Sequence, residues 1–209
     1  MKFGKFIAIL AVMAAMTATV SCNNNKNEAS KGAQIAGDPL PEGIEAAESG
    51  PLLTIKDVTA KAGEMAEVTL HVENADAAWN MCGLHITYPD VLVPEIRDEE
   101  NDYVNMKKGD ASEYSIGSIG KEWTNNKIDY LIDNKLGSIF FTEIFDGNEG
   151  LNGDIVTFYL KVPDNAVSGT EYPIEYMYID GDLFSNAQGD ESNELYAFEN
   201  WQGGKITVE

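Results

Sequence analysis

From Met65 to Glu73 the chain alternates strictly, with Val68, Leu70 and Val72 on one side and Glu67, Thr69, His71 and Glu73 on the other. The same period returns at 156–162, where Val156, Phe158, Leu160 and Val162 oppose Thr157, Tyr159 and Lys161. An apolar repeat of two residues fits one face of a pleated strand and no face of a helix. Strands are expected near 52–59, 65–74, 81–88, 91–97, 127–133, 138–145, 154–162, 172–179 and 205–209, cut by Gly, Asn, Asp and Pro. No long amphipathic helix competes with them, and residues 99–126 are less regular. The chain therefore reads as all-β, with half-buried strands packed as a two-sheet sandwich. No internal repeat is visible.

One strand departs from the usual coat. In WNMCGLHITYPDVL, Cys82, Leu84, Ile86 and Tyr88 fall on the side a core requires, and Met81, Gly83, His85 and Thr87 fall on the other. That second side carries none of the Lys and Glu that cover a solvated strand. In KIDYLID, read as a strand, Ile128, Tyr130 and Ile132 point inward and Asp129, Leu131 and Asp133 outward. In SIFFTEIF apolar residues fall on both sides, so alternation alone leaves the register open.

The N-terminus has a different character. Lys2 and Lys5 precede an apolar run from Phe6 to about Met16, too short for a membrane span, which needs about 20 apolar residues. The layout is that of a secretory signal over residues 1–21. Thr19-Val20-Ser21-Cys22 resembles a bacterial lipobox, with Thr19 in place of the usual leucine. On that reading Cys22 is lipidated and holds the protein at the extracellular face of the bacterial cell membrane. Residues 22–50 are rich in Asn, Gly, Ala, Ser, Pro and Glu and read as a flexible tether. Residues 51–209 suit one domain with a full core. The formal charge of −21 argues against nucleic acid and against direct docking on anionic lipid. With Cys22 lipidated, Cys82 has no disulfide partner and is expected as a buried small hydrophobe.

Signals for catalysis are missing. His71 and His85 are the only histidines, with no zinc-ligand spacing, no nucleophile elbow and no phosphate-cradling glycine loop. Paired carboxylates such as Asp98, Glu99 and Glu100 are expected by chance in so acidic a chain. The loop DGNEGLNGD, Asp146 to Asp154, and the pair Asp180 and Asp182 carry oxygen ligands, but inter-strand loop and turn are the default readings. No enzyme, no metal and no cofactor are expected.

Three segments together resemble a cohesin, the dockerin-binding module of cellulosome scaffolding proteins. They are AKAGEMAEVTLHVENA, MCGLHITYPDVLVPE and GDIVTFYLKVPDNAVSGTEYPIEY, and the likeness runs from Leu53 to Val208. It leans toward divergent type III-like cohesins, through Gly-x-His-Ile on the third strand and Gly-Asp-Leu-Phe after the eighth. Tyr88-Pro89-Asp90 departs from the family's turn, with Pro and Asp exchanged. The resemblance implies a nine-stranded jelly-roll β-sandwich whose strands 8, 3, 6 and 5 face a calcium-loaded dockerin. It also favours Ile139 and Phe141 inward, with Phe140 and Thr142 outward.

The implied dockerin-binding set is Met81, Gly83, His85, Thr87, Asp129, Leu131, Asp133, Phe140 and Thr142, an open, sparsely charged platform beneath a foreign helix. Leu131 and Phe140 are expected to form an exposed apolar patch. His85→Ala with Leu131→Ala is expected to weaken binding and leave melting unchanged. The protein is expected to be monomeric before it meets its partner. Jelly rolls also host carbohydrate-binding modules, and Trp79, Trp123, Trp201 and Phe140 supply the aromatics for that alternative.

Overall fold

The computed structural model describes Asp38 and residues 51–75, 79–101, 103–112, 116–120, 128–144, 150–179, 182–185 and 200–209. The expected signal, Cys22, Trp123 and Asp180 lie outside these residues. Fourteen strands occur among the described residues. In chain order they begin with β1 (Leu52–Ile55), β2 (Val58–Ala60), β3 (Met65–Glu73), β4 (Met81–Pro89), β5 (Val93–Pro94), β6 (Ile96–Asp98) and β7 (Tyr103–Val104). They continue as β8 (Met106–Lys108), β9 (Ile116–Gly120), β10 (Leu136–Ile144), β11 (Gly153–Lys161), β12 (Glu171–Tyr176), β13 (Leu183–Ser185) and β14 (Gly204–Val208). A helix, α1 (Ile128–Asn134), precedes β10.

Two sheets form the sandwich. The smaller runs β1-β3-β11-β5, with β8 also paired to β11. The larger runs β2-β14-β12-β4-β10-β9-β7-β6, with β13 also on β4. The alternation read in β3 and β11 gives the inner row: Val68, Leu70, Val72, Phe158 and Leu160 are buried in one core with Leu84, Ile86, Ile139, Phe141, Ile174 and Ile206 of the other sheet. A bulge in β11 between Asp154 and Val156 lets the consecutive Ile155 and Val156 both be buried. On the outer side Asp154 accepts hydrogen bonds from Lys56 and from His71 Nδ1, the latter at 2.6 Å. Burial pushes its carboxyl up, but these bonds outweigh that and hold it below the usual range. That carboxylate, one of the loop oxygens weighed for calcium, is thus committed to Lys56 and His71. Among the described residues no group of three or more His, Cys, Asp or Glu is placed to hold a metal ion.

The class is as expected, but the strand count exceeds nine. The segment 52–59 divides, β1 entering one sheet and β2 the other, where β2 pairs in parallel with β14. Residues 91–97 divide into β5 and β6, and 99–126 contributes β7, β8 and β9. The expected strand 127–133 is α1 instead, so the inward and outward assignment made for it fails. Asp129 in its first turn complements the positive helix N-terminus. Lys135 ends it in the left-handed region, at φ 55°. The Lys135 N–H donates to the Ile132 carbonyl at 3.2 Å, and its own carbonyl accepts from the Asp90 N–H at 2.9 Å. The helix end is thereby tied to the turn after β4.

In β10 the register is the one the resemblance favoured, with Ile139 and Phe141 in the core and Phe140 and Thr142 half-buried on the other side. The inner row continues to Glu143, which pairs with Cys82 and is 0% exposed, with no hydrogen-bond partner for either carboxylate oxygen among the described residues. Burial pushes its pKa up to about 8, against a weaker opposing pull from Lys108. Cys82 is buried and free of any disulfide, and burial raises its thiol well above the ordinary value. At the start of β10, Gly137 pairs with Tyr88, and a Cβ there would come within 2.4 Å of the tyrosine ring.

Candidate functional site

The site lies on the second face of β4. On one edge β4 pairs with β10 over its whole length, from Met81↔Ile144 to Pro89↔Leu136. On its other edge it meets β12 through Glu175↔Thr87 and Tyr176↔Ile86, and Met177 adds one more rung by donating to the His85 carbonyl at 3.0 Å. The chain then leaves the ladder and returns as β13, where Leu183 pairs with Gly83. One strand position is thus filled by two short strands with a flap between them.

The described part of that flap folds back on β4. The Asp182 N–H donates to the Ile179 carbonyl at 2.8 Å. The Asp182 carboxylate meets His85 Nδ1 at 2.7 Å, and its other oxygen accepts from the Ile179 N–H at 3.2 Å and the Tyr176 hydroxyl at 3.3 Å. Burial raises the Asp182 carboxyl above its ordinary value, and the His85 bond opposes that shift. The His85 ring also lies 4.7 Å from the Phe140 ring, tilted by 40°. Thr87 Oγ1 donates to the Glu175 carbonyl at 3.3 Å. Gly83 lies beneath Phe140 and Leu183, where a Cβ would make ordinary contacts of 3.4 Å with the ring and 3.8 Å with the leucine.

The expected open platform is therefore corrected. His85 is 4% exposed beneath Asp182 and the Phe140 ring, and Gly83 and Thr87 are buried with it. Leu131 does not join Phe140 in an exposed patch. It is 8% exposed and packs in a second apolar cluster with Met177 and Ile179, which Leu136 flanks. A strand without surface charges has two physical explanations, a foreign partner or the protein's own second layer, and here the second applies. With both side chains buried, the expectation that His85→Ala and Leu131→Ala leave melting unchanged also falls.

Asp129, Ile132 and Asp133 of α1 reach solvent instead, as does its last residue, Asn134. Asp129 and Asp133 are exposed as expected, and between them stands Ile132, 69% exposed, which the strand reading had sent inward. Spacing of three and four puts all three on one helical face, opposite the buried Leu131. Phe140 and Thr142 are half-buried, and Met81 is described only by its backbone pairing with Ile144 and Ser185. Sequence reasoning missed Met177, Ile179 and the role of Asp182. The signal for the last was present, an acidic residue in a turn 97 positions from an otherwise uncharged histidine strand, but nothing local joins the two.

The aromatics of the sugar-binding alternative are placed differently. Trp79 is 2% exposed, stacked on Phe184 at 5.0 Å, with its indole N–H on the Leu151 carbonyl at 3.2 Å. Trp201 is 4% exposed and lies 4.9 Å from the Tyr176 ring. Both are core residues and form no exposed platform.

No family model and no curated protein matches the sequence, whereas solved structures do. A type III cohesin from the ScaE cell-surface anchoring scaffoldin of Ruminococcus flavefaciens is 25% identical, with a TM-score of 0.64 over 83% of this chain and 97% of its own. The sixth cohesin of scaffoldin B from Acetivibrio cellulolyticus, solved with a Cel5 dockerin mutant, is 14% identical, with a TM-score of 0.55 over 77% and 99%. A non-cellulosomal cohesin from the archaeon Archaeoglobus fulgidus is 16% identical, with a TM-score of 0.53 over 77% and 91%. The last two likenesses speak for the fold alone. With the first, they show that the β-rich body of this chain has the fold of a cohesin module and is similar in sequence to a type III cohesin.

Proposed function

We propose that the protein is a dockerin-binding module, not an enzyme, anchored outside the cell by lipid on Cys22 and serving plant polysaccharide degradation. The observation that carries this reading is the 25% identity, over 83% of the chain, to a cohesin from a cell-surface anchoring scaffoldin. The partner is a dockerin-bearing scaffoldin or enzyme whose dockerin carries the calcium. Cohesin structures solved in complex with dockerins support that choice.

The binding set takes a layered form. Asp129, Ile132 and Asp133 on α1, with the half-buried Phe140 and Thr142, meet the dockerin. Met81, Gly83, His85, Thr87 and Leu131 belong to the strand and helix that carry this surface. An exposed isoleucine between two carboxylates fits an apolar residue flanked by Lys or Arg on a partner helix.

Calorimetry with calcium-loaded dockerins, run beside cellulose and xylan oligomers, tests the reading. Micromolar or tighter dockerin binding without sugar heat supports it, and sugar heat alone overturns it. Ile132→Asp is expected to weaken dockerin affinity by roughly tenfold or more while the melting temperature holds. Loss of membrane association in Cys22→Ser tests the anchor separately.

A further inference from the structure

Asp38 precedes the continuous β-rich body by many residues, yet it is half-buried and its backbone N–H donates to the Tyr178 carbonyl at 2.7 Å. The acceptor sits where the flap leaves β4. Pairing of β12 with β14 ends at Ile174↔Gly204, and the last rung to β4 is made by Met177. Tyr178 has therefore left both ladders while remaining buried, a position at which a backbone carbonyl must find another donor. Asp38 supplies it.

The local sequence suits a single rung. Pro39 confines the residue before it to extended conformations, the shape a strand-like contact needs. Pro39 and Pro41 carry no N–H, so the contact gains no donors from them as the chain proceeds. We propose that the protein's own N-terminal tether docks on the flap through Asp38, by addition of one strand-like rung at Tyr178. The occupant of this backbone position is thus a segment of the same chain.

Two consequences follow from the position. A docked tether steadies the flap that carries Asp182 to His85. It also shortens the free chain between Cys22 and the domain, because the stretch after Asp38 no longer contributes reach. The inference stands apart from the identity of any partner and from lipidation.

The test uses the full chain with Cys22→Ser and Ala36→Cys, spin-labelled at position 36, since the buried Cys82 escapes labelling. Relaxation of the Met177 methyl and the Ile179 amide is read against Val68 in the opposite sheet. Selective broadening of Met177 and Ile179 is expected in this background and with Asp38→Ala, which keeps the N–H. Asp38→Pro, which lacks it, is expected to cut the broadening by about fivefold, the weight of one backbone hydrogen bond. Equal broadening with Asp38→Pro and Asp38→Ala, or none in the parent, would overturn the proposal.

Discussion

Glu143 gives the domain a stability that declines toward alkaline pH. Its inward direction follows from the Ile139-Phe141 alternation, but a glutamate is rarely a core residue and composition alone would send it to the surface. The folded state holds its proton up to about 8, whereas the unfolded chain releases it near the ordinary glutamate value of 4.5. Between those two values the folded state binds more protons, so stability falls as pH rises and levels off above the upper one. By pH 7 the loss amounts to roughly 3 kcal/mol. Glu143→Gln is expected to remove most of that slope in urea titrations between pH 5 and 9 and to raise the melting temperature at pH 8. A parallel slope in the variant would show that another group titrates. His85 is the second test at this scale. Its alternation was legible, but its destination was not, because Asp182 arrives from 97 positions away. His85→Ala leaves that buried carboxylate without its ring partner and is expected to cost about 3 kcal/mol in chemical denaturation.

Among the elements, the long alternating strands β3, β4 and β11 were the most legible, since a period of two sustained over several residues, in β11 from Val156 onward, fits a strand and no helix face. The helix α1 was not. Seven residues hold too few turns to separate a period of 2 from one of 3.6, and IDYLIDN satisfies both. What decides it lies at the ends, in Asp129 and in the left-handed Lys135. Lys135→Gly is expected to raise stability by up to about 1 kcal/mol in a thermal melt, because a side chain in that region carries a steric cost that glycine lacks. Gly137→Ala has the opposite sign. Its methyl would collide with the Tyr88 ring, and a loss of at least about 2 kcal/mol is expected, read by the same melt. The break between β12 and β13 also escaped sequence reading, since 172–179 reads as one uninterrupted strand while its pairing departs after Met177.

For the whole molecule, the likeness to cohesins was legible from the order of several weak motifs, although no family model matches the sequence. The second layer over β4 was not, because burial by a partner and burial by the protein itself leave the same uncharged face. The charge of −21 should hasten encounter with a basic dockerin surface. Stopped-flow association is expected to slow by about tenfold between low and high salt, with a smaller change in dissociation. A further consequence lies in how β4 acquires its neighbours. It pairs with nothing adjacent in sequence: one flank is β10 and the other is shared by β12 and β13, with Gly83 waiting for Leu183. On a ribosome, which delivers the N-terminus first, this strand emerges with both margins bare; one waits for β10 and the other stays open until β12 and β13 have followed. The interval is one in which the nascent chain can misassociate, and the timing of synthesis, more than final stability, sets how much of it matures.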